Sequence, residues 1–143
     1  MQFLTKNNEI QQQIAIFNSI ITNINSANFL CLIIDSTLSW KDHVTELTPK
    51  LNKACYVTRT LTFLRSPEVL RMVYFSCFHS IMSYSIIFWG KSCHSINIFK
   101  IKKIILQIMT NSNVRDTCPL FKQLRMLPLP SQYIFSLLLF RFY

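Results

Sequence analysis

A single glycine, Gly90, serves all 143 residues, where globular chains ordinarily carry about 7%. Glycine is the residue that reaches positive φ without strain. Its scarcity rules out glycine-rich phosphate loops and the dinucleotide-binding fingerprint, each of which needs several glycines. It also disfavours hairpins whose two-residue turns need positive φ. The chain is instead rich in packing material, with 50% hydrophobic and 13% aromatic residues. Such content supports one buried core and argues against disorder.

Charge is low in amount and uneven in placement. Charged residues make up 15% of the chain, and the formal net charge is +9. Residues 1–64 hold five basic and four acidic groups, whereas residues 65–143 hold ten basic and two acidic groups. A basic surplus of that size favours polyanionic partners or anionic lipid.

The five cysteines are Cys31, Cys55, Cys77, Cys93 and Cys118, with no Cys-x-x-Cys pair among them. An odd number without paired spacing reads as buried free thiols in a reducing compartment. Cys77 with His79, and Cys93 with His94, each lack the second pair that a closed tetrahedral zinc site requires. Lys6 and Glu9 interrupt any apolar leader, so a chain inside the cell, in cytoplasm or nucleus, is expected.

The apolar pattern changes period near residue 38. Ile14 to Phe17 and Ile20, Ile21 and Ile24 form short apolar runs, and Phe29 to Ile34 is a continuous block of strand-favouring residues. Unbroken apolarity there predicts a strand buried on both faces, and two or three antiparallel strands fit residues 2–35. After Ser39, a candidate N-cap with Asp42 in the first turn, Val44, Leu47, Leu51, Ala54, Cys55, Thr58 and Leu61 recur at helical spacing. Pro49 predicts a kink or break in that helix. Ser66-Pro67-Glu68 is a second helix start, Ser95 a third, with Ile98, Ile101, Ile105 and Ile108 as the apolar stripe of the third. Shorter helices are expected over residues 120–126 and after Pro130. The fold class is α+β and mostly α: short antiparallel strands over residues 1–38, then four to five helices over residues 39–143.

Residues 72–90 lack any lysine, arginine or acid, but His79, Tyr84 and several serines and cysteines make a transmembrane span the weaker reading. Enzymatic chemistry finds no support. Asp42 and Glu46 share a helix face, yet Lys50 lies four residues beyond Glu46 and a solvated ion pair accounts for them. No catalytic residue, metal ligand, cofactor or small-molecule substrate is indicated. The strongest chemical feature is the segment from Lys91 to Arg125, with seven basic residues against one acid. Lys91, Lys100, Lys102, Lys103, Arg115, Lys122 and Arg125 are the candidate contacts to nucleic-acid phosphates, with the three central lysines expected mostly on the wet side of their helix. Asn111, Ser112 and Asn113 could add hydrogen bonds to phosphate oxygens.

Three blocks in order give these residues a family likeness. They are Phe29 to Asp35, then Leu38-Ser39-Trp40-Lys41-Asp42-His43-Val44, then Leu51-Asn52-Lys53-Ala54. They resemble the region just after the polymerase palm in reverse transcriptases of non-LTR, LINE-like retrotransposons. That family has a Leu-Gly-x-x-x-Asp strand, a Leu-x-Trp-x-x-His-Ile helix entry, and later a Tyr-Gly turn followed by Trp. The last resembles Ser83-Tyr84-Ser85-Ile86-Ile87-Phe88-Trp89-Gly90. The likeness covers roughly residues 1–135.

The resemblance implies last palm strands over residues 1–38 and thumb or connection helices from 39 onward, gripping an RNA/DNA duplex or hybrid through its backbone. The family's catalytic aspartates belong to a Tyr-x-Asp-Asp motif upstream of this region. No two acids are adjacent in this chain, so the clustered carboxylates of two-metal phosphoryl transfer are missing. The two family glycines correspond to Cys31 and Ser85, a loss that reads as drift in a decayed copy, with Met1 internal to the ancestral frame. The expectation is a non-catalytic fragment with weak nucleic-acid affinity. An unrelated basic helical module and a protein held to a membrane by residues 72–90 and the apolar tail remain open.

Overall fold

The computed structural model describes residues 24–64, 66–112 and 118–142, together with the backbone of 15–16 and 19–20. The fold is α+β and mostly helical, as the change of period predicts, and it divides into two compact units, residues 1–43 and 44–143.

In the first unit, β1 (Ala15–Ile16) pairs antiparallel with β2 (Ser19–Ile20), and β3 (Ser26–Phe29) with β4 (Leu32–Asp35). The other residues of the two early apolar runs, up to residue 23, lie outside the described set. The block from Phe29 to Ile34 is not one buried strand. It folds back on itself at Leu30-Cys31, with Phe29 opposite Leu32. Both turn residues take left-handed φ, 49° and 61°, as a two-residue primed turn requires. The turn is therefore built without the glycine that normally makes it cheap. Nor is the hairpin buried on both sides, for Phe29 is 62% exposed and Leu32 is the one strand residue buried among those of β3 and β4.

Asp35 ends the hairpin and starts the first helix. Its carboxylate accepts hydrogen bonds from the Thr37 hydroxyl at 2.5 Å, from the Ser39 amide and hydroxyl at 3.0 and 2.8 Å, and from the Trp40 amide at 3.2 Å. Leu38 and Trp40, at φ 53° and 62°, are held in the left-handed region between these anchors. Ser39 stands one residue ahead of the cap position, and its hydroxyl receives the Lys41 amide at 3.4 Å. The anionic cap is thus shared, with Asp35 as its hub.

The helix α1 (Lys41–Leu61) runs through Pro49 without a break. Val44, Leu47, Leu51, Ala54, Cys55 and Thr58 are all buried, while Lys41, Glu46, Lys50, Asn52, Lys53 and Arg59 are exposed, which is the predicted division. A 3-10 turn (Thr62–Leu64) follows. Then α2 (Pro67–Val73) begins at the predicted proline, passes into a π-helical turn (Tyr74–His79), and continues as α3 (Ser80–Ser83). Tyr74, Phe78 and Met82 line its buried side.

The site that resembles the family's Tyr-Gly turn, at residues 83–85, is a turn here with a specific geometry. Tyr84 has φ −58° and ψ 120°, and Ser85 has φ 53° and ψ 25°. Those are the two central positions of a type II turn, whose second residue is ordinarily glycine. One turn of helix, α4 (Ile86–Trp89), follows, and the Trp89 indole N–H donates back to the Tyr84 carbonyl at 3.2 Å. Gly90 has an ordinary φ of −61° and owes its identity to space. A Cβ there would lie 2.6 Å from the Ile86 carbonyl oxygen and 2.7 Å from Tyr133. Ser85→Gly should raise stability by about 0.5–1 kcal/mol, because relief of left-handed strain exceeds the added chain entropy. Urea unfolding measures it, and an unchanged or lower midpoint would show that the turn carries no strain.

Later helices complete the second unit: α5 (Ser95–Thr110), the short α6 (Cys118–Gln123), and α7 (Leu129–Phe142). α5 packs against α2 and α6, and α7 packs against α4. Its core includes Trp89, Ile98, Ile105, Leu106, Leu120, Phe121 and Leu129. Cys55 alone is a buried thiol; Cys31, Cys77, Cys93 and Cys118 are exposed and free, which corrects the expectation of buried cysteines.

Candidate nucleic-acid interface

α5 positions the central lysines by its pitch. At 100° per residue, Ile98, Ile101, Ile105 and Leu106 mark one side, and Lys100, Lys103, Ile104, Gln107 and Asn111 fall on the other. Lys100 is exposed. Lys103 is half-buried because its amine lies 4.7 Å from the centre of the Phe99 ring, a cation–π contact that fixes the side chain along the helix. Phe99 in turn stacks on Phe121 of α6, with centroids 6.2 Å apart and planes within 18°. That aromatic pair carries α6 against α5, next to Lys122, and Arg125 follows in the turn after α6. Lys122 and Arg125 are both exposed. Lys91 is exposed too, but it sits in the turn ahead of α5, away from the Lys100–Lys103 level.

Lys102 does not face water. It is 1% exposed, and its ammonium donates to the Leu127 carbonyl oxygen at 2.6 Å. It lies between the angular positions of Ile98 and Leu106, inside the buried arc of α5, so the expected wet-side placement is corrected. Burial pulls its amine down to about 8, since removing water penalises the charged form. Burial also lowers His79, and the Lys102 charge lowers it further. Arg115 and Asn113 lie outside the described residues.

From Val69 to Phe142, the described residues include no acid. Arg71, Lys91, Lys100, Lys103, Lys122, Arg125 and Arg141 all reach the surface there. The acids of the chain that the structure describes lie earlier and are differently engaged. Burial opposes ionisation of Asp35, but the hydrogen bonds from Thr37, Ser39 and Trp40 prevail and hold it well below the usual carboxylate range. Glu46 pairs with Lys50 at 2.7 Å on the exposed side of α1, the solvated ion pair expected of it. Among the described residues, no three histidine, cysteine or acidic side chains converge as a metal site would need.

A feature with no local motif lies at the far end of α5. Arg59 and Thr62, at the end of α1, face Ile108 and Asn111, at the end of α5, across a cleft of two lobes of about 910 and 350 Å³. The lobes share these four residues. Asn111 closes α5 at φ 48°, a left-handed cap that asparagine tolerates. Thr110 and Ser112 hydroxyls are 2.7 Å apart at its edge. The sequence signal for this site was limited to the polar turn at residues 111–113. The contribution of Arg59 comes from about fifty residues away and is set by packing alone.

No known protein family, curated protein or solved structure matches the chain.

Proposed function

We propose that this chain is a non-catalytic reverse-transcriptase-type segment whose helical unit binds duplex or hybrid nucleic acid weakly, through phosphates and without sequence preference. The observation that carries the reading is the described surface after Glu68, where seven cations reach solvent and no acid offsets them. A surface of that kind attracts a polyanion by Coulombic force and by counterion release. Lys100, Lys103, Lys122 and Arg125 form its centre, joined through Phe99 and Phe121. The family likeness gains support from backbone geometry. Cys31 and Ser85 stand where the family has glycine, and both have left-handed φ, at 61° and 53°.

Fluorescence anisotropy with a labelled RNA–DNA hybrid tests the reading. Affinity should fall steeply between 50 and 200 mM salt, on the scale set by about four phosphate contacts. Lys100→Ala with Lys103→Ala should lower the log–log salt slope by about 2. Lys102→Ala should leave that slope unchanged, because its amine is spent inside the protein. Binding that is indifferent to salt would remove the electrostatic mechanism.

A second reading, attachment to a membrane surface, draws on α7. Ile134, Phe135, Leu138, Leu139, Phe140 and Phe142 are all exposed there. Among the described residues, no helix is long and apolar enough to cross a membrane. Flotation with anionic vesicles, in the absence of hybrid binding, would put this reading first.

A further inference from the structure

The cleft between the ends of α1 and α5 is one for which the duplex interface has no use. It is larger than a backbone contact needs: the main lobe, about 910 Å³, falls within the roughly 300–1,000 Å³ of ordinary ligand pockets. Its floor is apolar, with Leu70, Ile108 and Met109, and its rim is polar. At its mouth stands Phe63, 89% exposed, on the 3-10 turn after α1. A phenyl ring so exposed contributes little to the core. Beside it is Arg59, exposed, with no acid partner among the described residues. Lys100, Lys103, Gln107 and Asn111 share one side of α5, so the lysine row runs along that helix into the cleft, about two turns from Lys103 to Asn111.

We propose that this cleft takes an unpaired nucleotide of a single strand, its base stacked on Phe63 and its phosphate held by Arg59. The idea rests on the nucleic-acid reading above and adds a second mode to it, with duplex backbone on the lysines and an unpaired base in the cleft. The chemistry selects this occupant over an acidic peptide. A peptide carboxylate would use Arg59 but leave the apolar floor and the exposed ring without a flat partner. Every base has a π face, so stacking is tolerant of sequence, and asparagine and glutamine amides at Asn111 and Gln107 can meet base edges. The helix ends around the cleft are the negative ends of α1 and α5 and the start of the short α2 at Pro67, and Arg59 is the cationic side chain among them that would receive the phosphate.

The test uses the full chain and a single-stranded oligonucleotide carrying 2-aminopurine, beside a blunt hybrid duplex. Stacking on Phe63 should change the 2-aminopurine fluorescence on binding. Phe63→Ala should weaken single-strand binding about tenfold, in line with the worth of one base–aromatic stack, and should leave duplex binding unchanged. Phe63→Trp should restore single-strand binding, and Arg59→Gln should weaken it and flatten its salt dependence. Both positions are exposed, so these variants keep the fold. Single-strand binding that is absent, or equal in wild type and Phe63→Ala, would overturn the proposal. So would equal competition by polyglutamate, which shares the charge and lacks the base. Failure of the wider reading has a different signature: no duplex binding at low salt, with single-strand binding still lost in Phe63→Ala.

Discussion

Trp89→Ala should cost about 3–5 kcal/mol of stability and lower the melting temperature by roughly 10–20 °C. The indole is fully buried, and its N–H closes the type II turn by donating to the Tyr84 carbonyl at 3.2 Å. Truncation removes the ring, leaves a cavity beside α4, and leaves the turn without its donor. Trp89→Phe separates the two effects. It keeps most of the volume and loses the hydrogen bond, so its cost should be nearer 1 kcal/mol. Urea unfolding followed by circular dichroism distinguishes them. A loss below 1 kcal/mol in Trp89→Ala would mean that the indole is not packed as the structure has it.

The same turn shows what a reader of the sequence can and cannot see. The stop at Tyr84-Ser85 is legible because serines and a tyrosine interrupt an apolar helix pattern. The starts at Pro67 and Ser95, and the wet and dry sides of α1, are legible because caps and period agree at each. The hairpin turn at Leu30-Cys31 is not. Both residues read as strand, and nothing in their side chains announces a left-handed φ. What sets the turn is the pairing on either side of it: β3 pairs with β4 in register, and Asp35 anchors the far end. The cleft is invisible for a different reason. Arg59 and Phe63 come from one helix end and Asn111 from another, and only packing brings them together. Lys102 is a different case. Its angle on α5, one step from Ile101 and four from Ile98 and Leu106, places it in the apolar arc, so its burial was readable from period once charge was set aside.

That buried amine makes a large pH-dependent effect just above neutral pH. Lys102 falls from an ordinary value near 10.5 to about 8 in the fold, so the charged form is tolerated there poorly. Below pH 8 the fold carries a protonated amine out of water, a penalty of roughly 3 kcal/mol. Between about pH 8 and 10.5 the unfolded chain holds more protons than the folded one at this site, so stability rises with pH. Cys55 acts in the opposite sense: burial raises its thiol to about 11 from 9.0, so from pH 9 upward the unfolded chain loses that proton first and stability falls. The rise should therefore be cleanest from pH 8 to 9. Below about pH 6.5, His79, lowered by burial and by Lys102, removes stability as the unfolded imidazole becomes charged. Lys102→Met keeps the packed stem, removes the charge, and forgoes the bond to the Leu127 carbonyl. The variant should be more stable than wild type by about 1–3 kcal/mol at pH 7, with the advantage shrinking between pH 8 and 9. Urea titrations of both proteins at half-unit steps measure this. A variant clearly less stable than wild type at pH 7 would show that the hydrogen bond to Leu127 outweighs the cost of the buried charge.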